Sequence, residues 1–431
     1  MSVFELIDGT LHVESVPALE IARAVGTPVY VYSRRHLETR YESMARAIRE
    51  CGTGGRVCYA VKANSNLSVL TLFRQLGAGF DIVSGGELQR VLAAGGDPGS
   101  VVFSGVGKTT EELDLALKVG IGCFNVESEP ELLRLKARAA LLSRHANVAM
   151  RVNPDVDPGT HPYISTGLKE NKFGVPAETA IGLYETARAD EWLRPVGVAC
   201  HIGSQIRSPE PMLQALDSLL AVVDTLAGRG IEIEHLDLGG GFGVSYEDPA
   251  SNDDVDFDID AYGAQLAGRL AGRSLAVTVE PGRYLVANGG VLLTRVEYLK
   301  PATMDAGRSF AVVDAAMNDL IRPALYSAHH HVEPASRPGP GAIAATWEVV
   351  GPVCESGDFL ARGRSMTIAA DDLLAIHSAG AYGMVQASNY NSRPRPAEVL
   401  VDGDAFRIIR HRETIEDLMR GERACCPGTA H

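Results

Sequence analysis

Eight short runs rich in apolar and β-branched residues recur between residues 57 and 283, separated by amphipathic stretches. The runs are VCYAVKAN (57–64), GFDIVS (79–84), VVFSGV (101–106), GCFNVES (122–128), NVAMRVNP (147–154), RPVGVACHIG (194–203), IEHLDLGGG (233–241) and LAVTVEPGR (275–283). Segments between them, such as SVLTLFRQLG, TEELDLALKVG and EPELLRLKARAALL, carry apolar residues three and four apart. Several end at glycine, as helices tend to. Strands alternating with helices predict a parallel sheet, and eight such units predict a closed (β/α)8 TIM-like barrel. An open doubly wound sheet is the alternative. After about residue 284 the pattern changes to short strands joined by turn signals, as in VANGGVLLTRVEYLK, SFAVVDAAMN and ATWEVVGPVC. This predicts a second, mostly β domain of sandwich or barrel type. FELIDGTLHV and PVYVYS near the start are also strand-like and are assigned to it. The expected domains are therefore a barrel over 33–283 and a discontinuous β domain over 1–32 with 284–431.

In a barrel of this kind the chemistry gathers where strands end. Lys62 closes the first run, Asp81 and Ser84 the second, Arg151 the fifth, His201 and Ser204 the sixth. Gly239, Gly240 and Gly241 close the seventh, and Glu280, Gly282 and Arg283 the eighth. A lone strand lysine is usually edge protection or an ammonium reaching for water. A lone histidine is as readily a satisfied core residue, and most glycine triplets are turns. Their shared alignment with strand ends shifts the reading. Successive glycines let backbone N–H groups face an anion, and the last two strands of such barrels frequently share a phosphate site. No G-x-G-x-x-G with a distant acidic partner supports a dinucleotide. A lysine, a phosphate cradle, a histidine and a buried carboxylate together point to pyridoxal 5'-phosphate. The Lys62 amine would join the aldehyde as a Schiff base, and the cofactor would act as an electron sink for carbanion chemistry. Glu280 beside the pyridine nitrogen would keep it protonated, with His201 stacked on the ring.

At this point the residues resemble a known family. YAVKANSN (59–66), GAGFDIVSGGEL (77–88), HIGSQI (201–206), LDLGGGFG (236–243), EPGR (280–283), DAAMNDLIRPALY (314–326), GPVCESGDFLA (351–361), GAYG (380–383) and SNYNSRPRPAEVLV (388–401) are similar to the motifs of diaminopimelate decarboxylases. These belong to the alanine-racemase-like, fold-type III group of pyridoxal phosphate enzymes. The resemblance spans residues 57–401 and fades only in the tail after Glu422. It implies that Lys62 carries the cofactor, that His201 stacks on it and that Glu280 holds its ring nitrogen. Ser204, Gly241, Gly282 and Tyr382 would bind the phosphate, with Gly239, Gly240 and Arg283 nearby, and Asp81 and Arg151 would complete the cofactor pocket. Arg283, Arg322, Tyr326, Glu355 and Tyr382 would hold the substrate, and Cys354 would donate the proton.

The implied reaction is decarboxylation of meso-2,6-diaminopimelate to L-lysine and CO2, the last step of lysine biosynthesis. It also implies a head-to-tail homodimer in which Cys354, Glu355 and Tyr382 serve the partner's site. A substrate charged at each end suits these residues: arginine forks grip a distal carboxylate while Glu355 meets the ammonium. A thiol with an ordinary pKa of about 8.5 is a reasonable acid for the resulting carbanion, although most unpaired cysteines are small core residues. Related decarboxylases of lysine, ornithine, arginine or carboxynorspermidine lack the distal carboxylate, so Arg322 argues against them. A non-catalytic pyridoxal phosphate-binding relative would be expected to have lost Lys62, Cys354 or Tyr382. A racemase would place a tyrosine base where CESGD stands.

Composition adds exclusions. With 431 residues and 45% hydrophobic content the chain can bury more than one core. A formal net charge of -14 disfavours nucleic acid and anionic membranes as partners. Glu5 and Asp8 break any signal-peptide pattern. The seven scattered cysteines show no C-x-x-C spacing and read as reduced thiols in a cytoplasm. His329, His330 and His331 raise the question of a metal, but with no acidic or cysteine partner at ligand spacing none is expected. DVDPGTHPYISTGLKENKFG (155–174) is long for a connection within a domain. We expect it to act as a lid over substrate, so that proteolytic nicking near Gly159 slows CO2 release.

Overall fold

The computed structural model describes residues 3–51, 54–157, 172–248, 255–303 and 307–423. Most of the expected lid, residues 158–171, falls outside the described residues, as do Cys425 and Cys426. The chain divides into two compact units: Met1–Arg35, Tyr246–Pro249 and Asn288–His431 form one, and His36–Ser245 with Ala250–Ala287 forms the other.

The first unit opens with a small sheet of β1 (Phe4–Ile7), β2 (Thr10–Val13) and β3 (Val16–Pro17), and continues into β4 (Val29–Ser33). The second unit is a closed barrel of eight parallel strands: β5 (Arg56–Ala60), β6 (Gly79–Ile82), β7 (Val101–Phe103), β8 (Cys123–Val126), β9 (Ala146–Arg151), β10 (Leu193–Ala199), β11 (His235–Asp237) and β12 (Ala276–Val279). β12 closes on β5 through Thr278 opposite Arg56 and Val279 opposite Val57. All eight apolar runs became barrel strands. Helices cover such strands on the outside and side chains fill the inside, so near-continuous apolar runs are what this geometry needs.

Three successive strand-to-helix loops end in the same device. Ser84, Thr109 and Ser128 each accept a hydrogen bond from the N–H three residues on, at 3.2, 3.3 and 3.3 Å, and each third residue is a glutamate. This capping pattern satisfies helix N–H groups that have no partner within the helix. It starts each helix three to seven residues after its strand, which fixes the rim of the barrel.

The rest of the first unit is mostly β: β13 (Gly290–Lys300), β14 (Ser309–Val313), β15 (Val332–Pro334), β16 (Ile343–Val350), β17 (Phe359–Ile368), β18 (Leu373–Ile376), β19 (Ala397–Asp402) and β20 (Ala405–Arg410). The long β13 joins three partners, pairing with β4 and β18 over its first half and with β14 over its second. Trp347, Tyr30, Tyr32, Leu292 and Leu374 lie in its core. Glu398 is buried on β19, where it accepts from the Tyr32 hydroxyl at 2.8 Å and pairs with Arg410.

His235, which opens β11, is mostly buried, and a Cβ on Gly197 would run into its ring. Burial, then Arg56, pushes its pKa down to about 4. Its folded pKa lies below the ordinary histidine value, so the unfolded chain takes up the extra proton between pH 6.5 and 4, and stability falls as pH falls through that window. The cost approaches ~3 kcal/mol. Urea titrations of His235→Gln across this range should show a shallower acid slope than those of the parent.

Candidate active site

β5 ends at Ala60, and the chain turns at once into a single 3-10 turn, Val61–Ala63. Lys62 therefore stands just past the strand rather than inside it. Its ammonium Nζ lies 2.7 Å from Oδ2 of Asp81, which is the third residue of β6 and fully buried. The lysine side chain keeps 37% of its surface exposed. The arrangement answers why a charge stands there: the ammonium is paired with a buried carboxylate while part of the side chain stays exposed.

Glu280 follows β12 and is buried. Burial, then the Asp237 and Asp81 carboxylates, push its carboxyl well above the usual range, while Lys62 pulls the other way. Asp237 is buried beside it and raised as well, mainly by burial. Asn125 Nδ2 donates to Asp237 Oδ2 at 2.8 Å and reaches Glu280 Oε1 at 3.5 Å. Ser104 Oγ donates to the same Glu280 oxygen at 3.4 Å. Asp237, Asn125 and Ser104 were not singled out from the sequence. Their signal was present, since each is a polar residue in or directly after an apolar barrel strand, where side chains alternate inward.

His201, after β10, accepts a hydrogen bond on Nδ1 from the Gly240 N–H at 3.1 Å. An accepting Nδ1 requires the neutral tautomer with its proton on Nε2. Burial, then Arg151 and Lys62, push the imidazole well below its ordinary value, which agrees. Arg151 is taken up by Glu127 Oε1 at 3.1 Å and by the His201 carbonyl at 3.3 Å. It thus props the histidine from behind. Glu127, also missed from the sequence, accepts in addition from Gly105 N–H at 2.7 Å and Gly174 N–H at 3.2 Å.

The glycine triplet serves close backbone approach. A Cβ on Gly240 would fall inside the Glu280 carbonyl oxygen, and one on Gly241 would lie 2.5 Å from the Gly203 carbonyl oxygen. Gly241 also holds φ +108, which side-chain-bearing residues rarely adopt. Gly282 is similarly tight, with Ala63 Cβ 3.0 Å from its would-be Cβ. Arg283 Nη2 donates to Ser204 Oγ at 3.0 Å. The barrel unit therefore gathers Lys62, Asp81, His201, the triplet, Glu280 and Arg283 around the loops at one rim.

Arg322, Tyr326, Cys354, Glu355 and Tyr382 belong to the other unit. Arg322 is buried, its guanidinium 4.4 Å above the Tyr246 ring and its Nη1 2.8 Å from His330 Nε2. His330 Nδ1 lies 2.8 Å from the His377 carbonyl. That bond puts the proton on Nδ1 and leaves Nε2 to accept from the arginine. Cys354 is exposed, its N–H donating to Asn391 Oδ1 at 2.8 Å. Glu355 is exposed too, with Tyr390 Oη 3.5 Å from its carboxylate. Asp358 ties the base of their loop, accepting from Met317 N–H at 2.7 Å and Val353 N–H at 2.8 Å. Tyr326 is half-buried at the end of a short helix, and half-buried Tyr382 holds φ +55.

The barrel residues fit pyridoxal phosphate. An amine stands at the rim, and a carboxyl destabilised by burial waits for a cationic N–H. A neutral imidazole has a fixed ring plane. Asp81 Oδ1 and Arg151 Nε, both buried, have no hydrogen-bond partner among the described residues. Barrel and site together define a class: residues 34–287 match the family described as pyridoxal-dependent decarboxylase, pyridoxal binding domain.

Relatives narrow it further. The diaminopimelate decarboxylase of Pseudomonas aeruginosa is 55% identical over 98% of this chain and 99% of its own. That of Neisseria meningitidis serogroup A is 52% identical over 96% of this chain and 100% of its own. The Helicobacter pylori diaminopimelate decarboxylase structure complexed with L-lysine superposes with a TM-score of 0.87 at 40% identity, covering 93% of this chain and 98% of that one. The M. jannaschii diaminopimelate decarboxylase in co-complex with L-lysine gives 0.91 at 36%, covering 99% of each chain. The chain belongs to the diaminopimelate decarboxylase family, and its cofactor is pyridoxal 5'-phosphate.

Proposed function

We propose that this protein removes one carboxylate from meso-2,6-diaminopimelate as CO2, leaving L-lysine as the last step of lysine biosynthesis. One observation carries the reading: the Lys62 amine stands half-exposed at the barrel rim, held by buried Asp81, in a chain 55% identical to a diaminopimelate decarboxylase. Solved relatives at 36–40% identity that carry L-lysine support the same product. When bound, pyridoxal phosphate supplies an aldehyde for the amine and a ring that takes up the electron pair left by departing CO2.

The chain's own residues do the rest. Asp81 holds the Lys62 Nζ in place at the rim. Glu280 would hold the cofactor's ring nitrogen and would ionise beside its cationic form, because an opposite charge favours the charged form. The Asn125 amide and Ser104 hydroxyl keep its oxygen aimed. His201 offers a flat neutral face that the Gly240 N–H prevents from turning. Ser204, Gly241, Gly282 and Tyr382 would hold the phosphate, with Gly239, Gly240 and Arg283 close by. Arg322 and Arg283 grip the distal carboxylate, with Tyr326 and Tyr382 beside the substrate and Glu355 on its distal ammonium. Cys354 Sγ delivers the proton that replaces the carboxylate.

Exposure of Cys354 and Glu355 in the single chain supports a homodimer with shared sites, since protonation of a carbanion needs a site closed to water. Free cysteines, four of the five described being buried, fit a cytoplasmic protein. No helix among the described residues is long and apolar enough to cross a membrane.

Purified protein with cofactor should release CO2 from meso-diaminopimelate and not from L-lysine, L-ornithine or L-arginine; preference for one of the last three would overturn the assignment. Glu280→Gln keeps the shape but loses the charge. We expect it to lower kcat about 10²–10³-fold, the scale of removing one buried electrostatic partner, with a changed cofactor absorption spectrum at unchanged far-UV circular dichroism.

A further inference from the structure

The β-rich unit carries a side-chain cluster for which decarboxylation has no use. β15 runs antiparallel to β18, with Val332 opposite Ile376. Neighbours of a cross-strand pair share the opposite face, so His331 and His377, one step outward on each strand, face each other. Glu333, two residues after His331, points the same way. The backbone confirms the register: the His377 N–H donates to the His331 carbonyl at 2.9 Å. His377 Nε2 lies 2.8 Å from Glu333 Oε1, and the two imidazole centroids are 5.4 Å apart. One ligating atom from each of the three residues lies within 4.8 Å of the others. His377 is buried, and His331 and Glu333 are half-buried.

We propose that His331, Glu333 and His377 form a binding site for one borderline first-row dication, of which Zn²⁺ is the type. Two imidazoles and a carboxylate are the donors that such ions select. Donors ~2.1 Å from a tetrahedral ion stand about 3.4 Å from one another. The His377–Glu333 pair, 2.8 Å apart, has to open by about 0.6 Å to reach that spacing, and the His331 donor, within 4.8 Å of both, has to close on them. Glu333 also lines a cavity of about 500 Å³ with Leu6, Asp8 and Arg337, which gives the ion a path and leaves room for water as the fourth ligand. β15 has only three residues and hydrogen-bonds in the sheet to β18 alone. A bound ion adds a second tie between the two strands, so its role is to clasp this short strand in place.

The sequence argued against a metal because no acidic partner had ligand spacing. The strand register supplies that partner at His331 + 2, and the second imidazole from 46 residues further on.

The test uses the holoenzyme, stripped with a chelator and dialysed against Zn²⁺ or Co²⁺ at micromolar free ion, with bound metal counted by mass spectrometry. The parent should hold one ion per chain that Glu333→Gln and His331→Ala lose. Each variant should weaken that site more than about 100-fold, since even partners outside the coordination shell cost ~10–100-fold. Zn²⁺ should raise the thermal midpoint of the parent and not that of Glu333→Gln. His329→Ala, two residues before His331 and outside the cluster, should bind as the parent does. If His331→Ala fails to fold, the near-isosteric Glu333→Gln carries the comparison. No bound ion in the parent, equal binding in the parent and Glu333→Gln, or a matching loss in His329→Ala overturns the proposal.

Discussion

Lys62→Ala is expected to lower CO2 release from meso-diaminopimelate by at least about 10⁴-fold, the scale seen when the residue that bonds covalently in an enzyme is removed. The variant should still fold, because the lysine side chain is partly exposed, though with some loss of stability. Asp81 is left worse off, since its fully buried carboxylate loses the ammonium 2.7 Å away. Borohydride treatment followed by peptide mapping gives the direct reading. In the parent the cofactor should be found on the peptide holding Lys62, and in the variant on none. Cofactor fixed to any other lysine would remove the basis of the proposed function.

The second large effect is expected at Cys354. A positioned proton donor contributes typically 10²–10⁴-fold, so Cys354→Ala should lose about that much activity. Partial rescue by Cys354→Ser is not expected, because a serine hydroxyl is a far weaker acid than a thiol. The proposed homodimer with shared sites allows a sharper measurement. Chains carrying Lys62→Ala and chains carrying Cys354→Ala, inactive alone, should regain activity when mixed and allowed to exchange. Random pairing gives one hybrid in two dimers, with one intact site of its two, so about a quarter of parental activity should return. Zero recovery, with hybrid dimers verified by mass, would place the thiol and the lysine in the same chain's site.

How much of this could be read from the chain follows from how local each signal is. Barrel strands announce themselves because apolar residues continue along both faces, and every run from VCYAVKAN to LAVTVEPGR lies where a parallel strand does. The other unit was legible as β but not in its order. β13 shares its length among β4, β14 and β18, and no local pattern says which strand a neighbour will be. The β19–β20 hairpin was overlooked although Gly403–Asp404, a turn dipeptide of the kind that links hairpins, sits between its strands. Around the site, the rule that chemistry gathers at strand ends drew attention to Lys62, His201 and Glu280. It could not find the contacts that set their chemistry. Asn125 meets Asp237 across 112 residues of sequence, and Arg151 meets Glu127 across 24. The glycine triplet was read as a cradle for an anion. Its geometry shows a further constraint, since each of its members is pressed against a neighbouring loop's main chain. The His331–His377 pairing stayed hidden for the same reason, as strand register exists only after folding.

Because those three glycines are wedged between peptide groups, this end of the molecule offers almost no room for evolutionary tinkering. Mutation there meets collision before it meets novelty. Divergence toward new substrates has to proceed through exposed, loosely packed positions such as Glu355, which a lineage or a protein engineer can exchange at little risk to the scaffold. The fold thus keeps a rigid half for its coenzyme and a negotiable half for whatever the coenzyme is set to work upon.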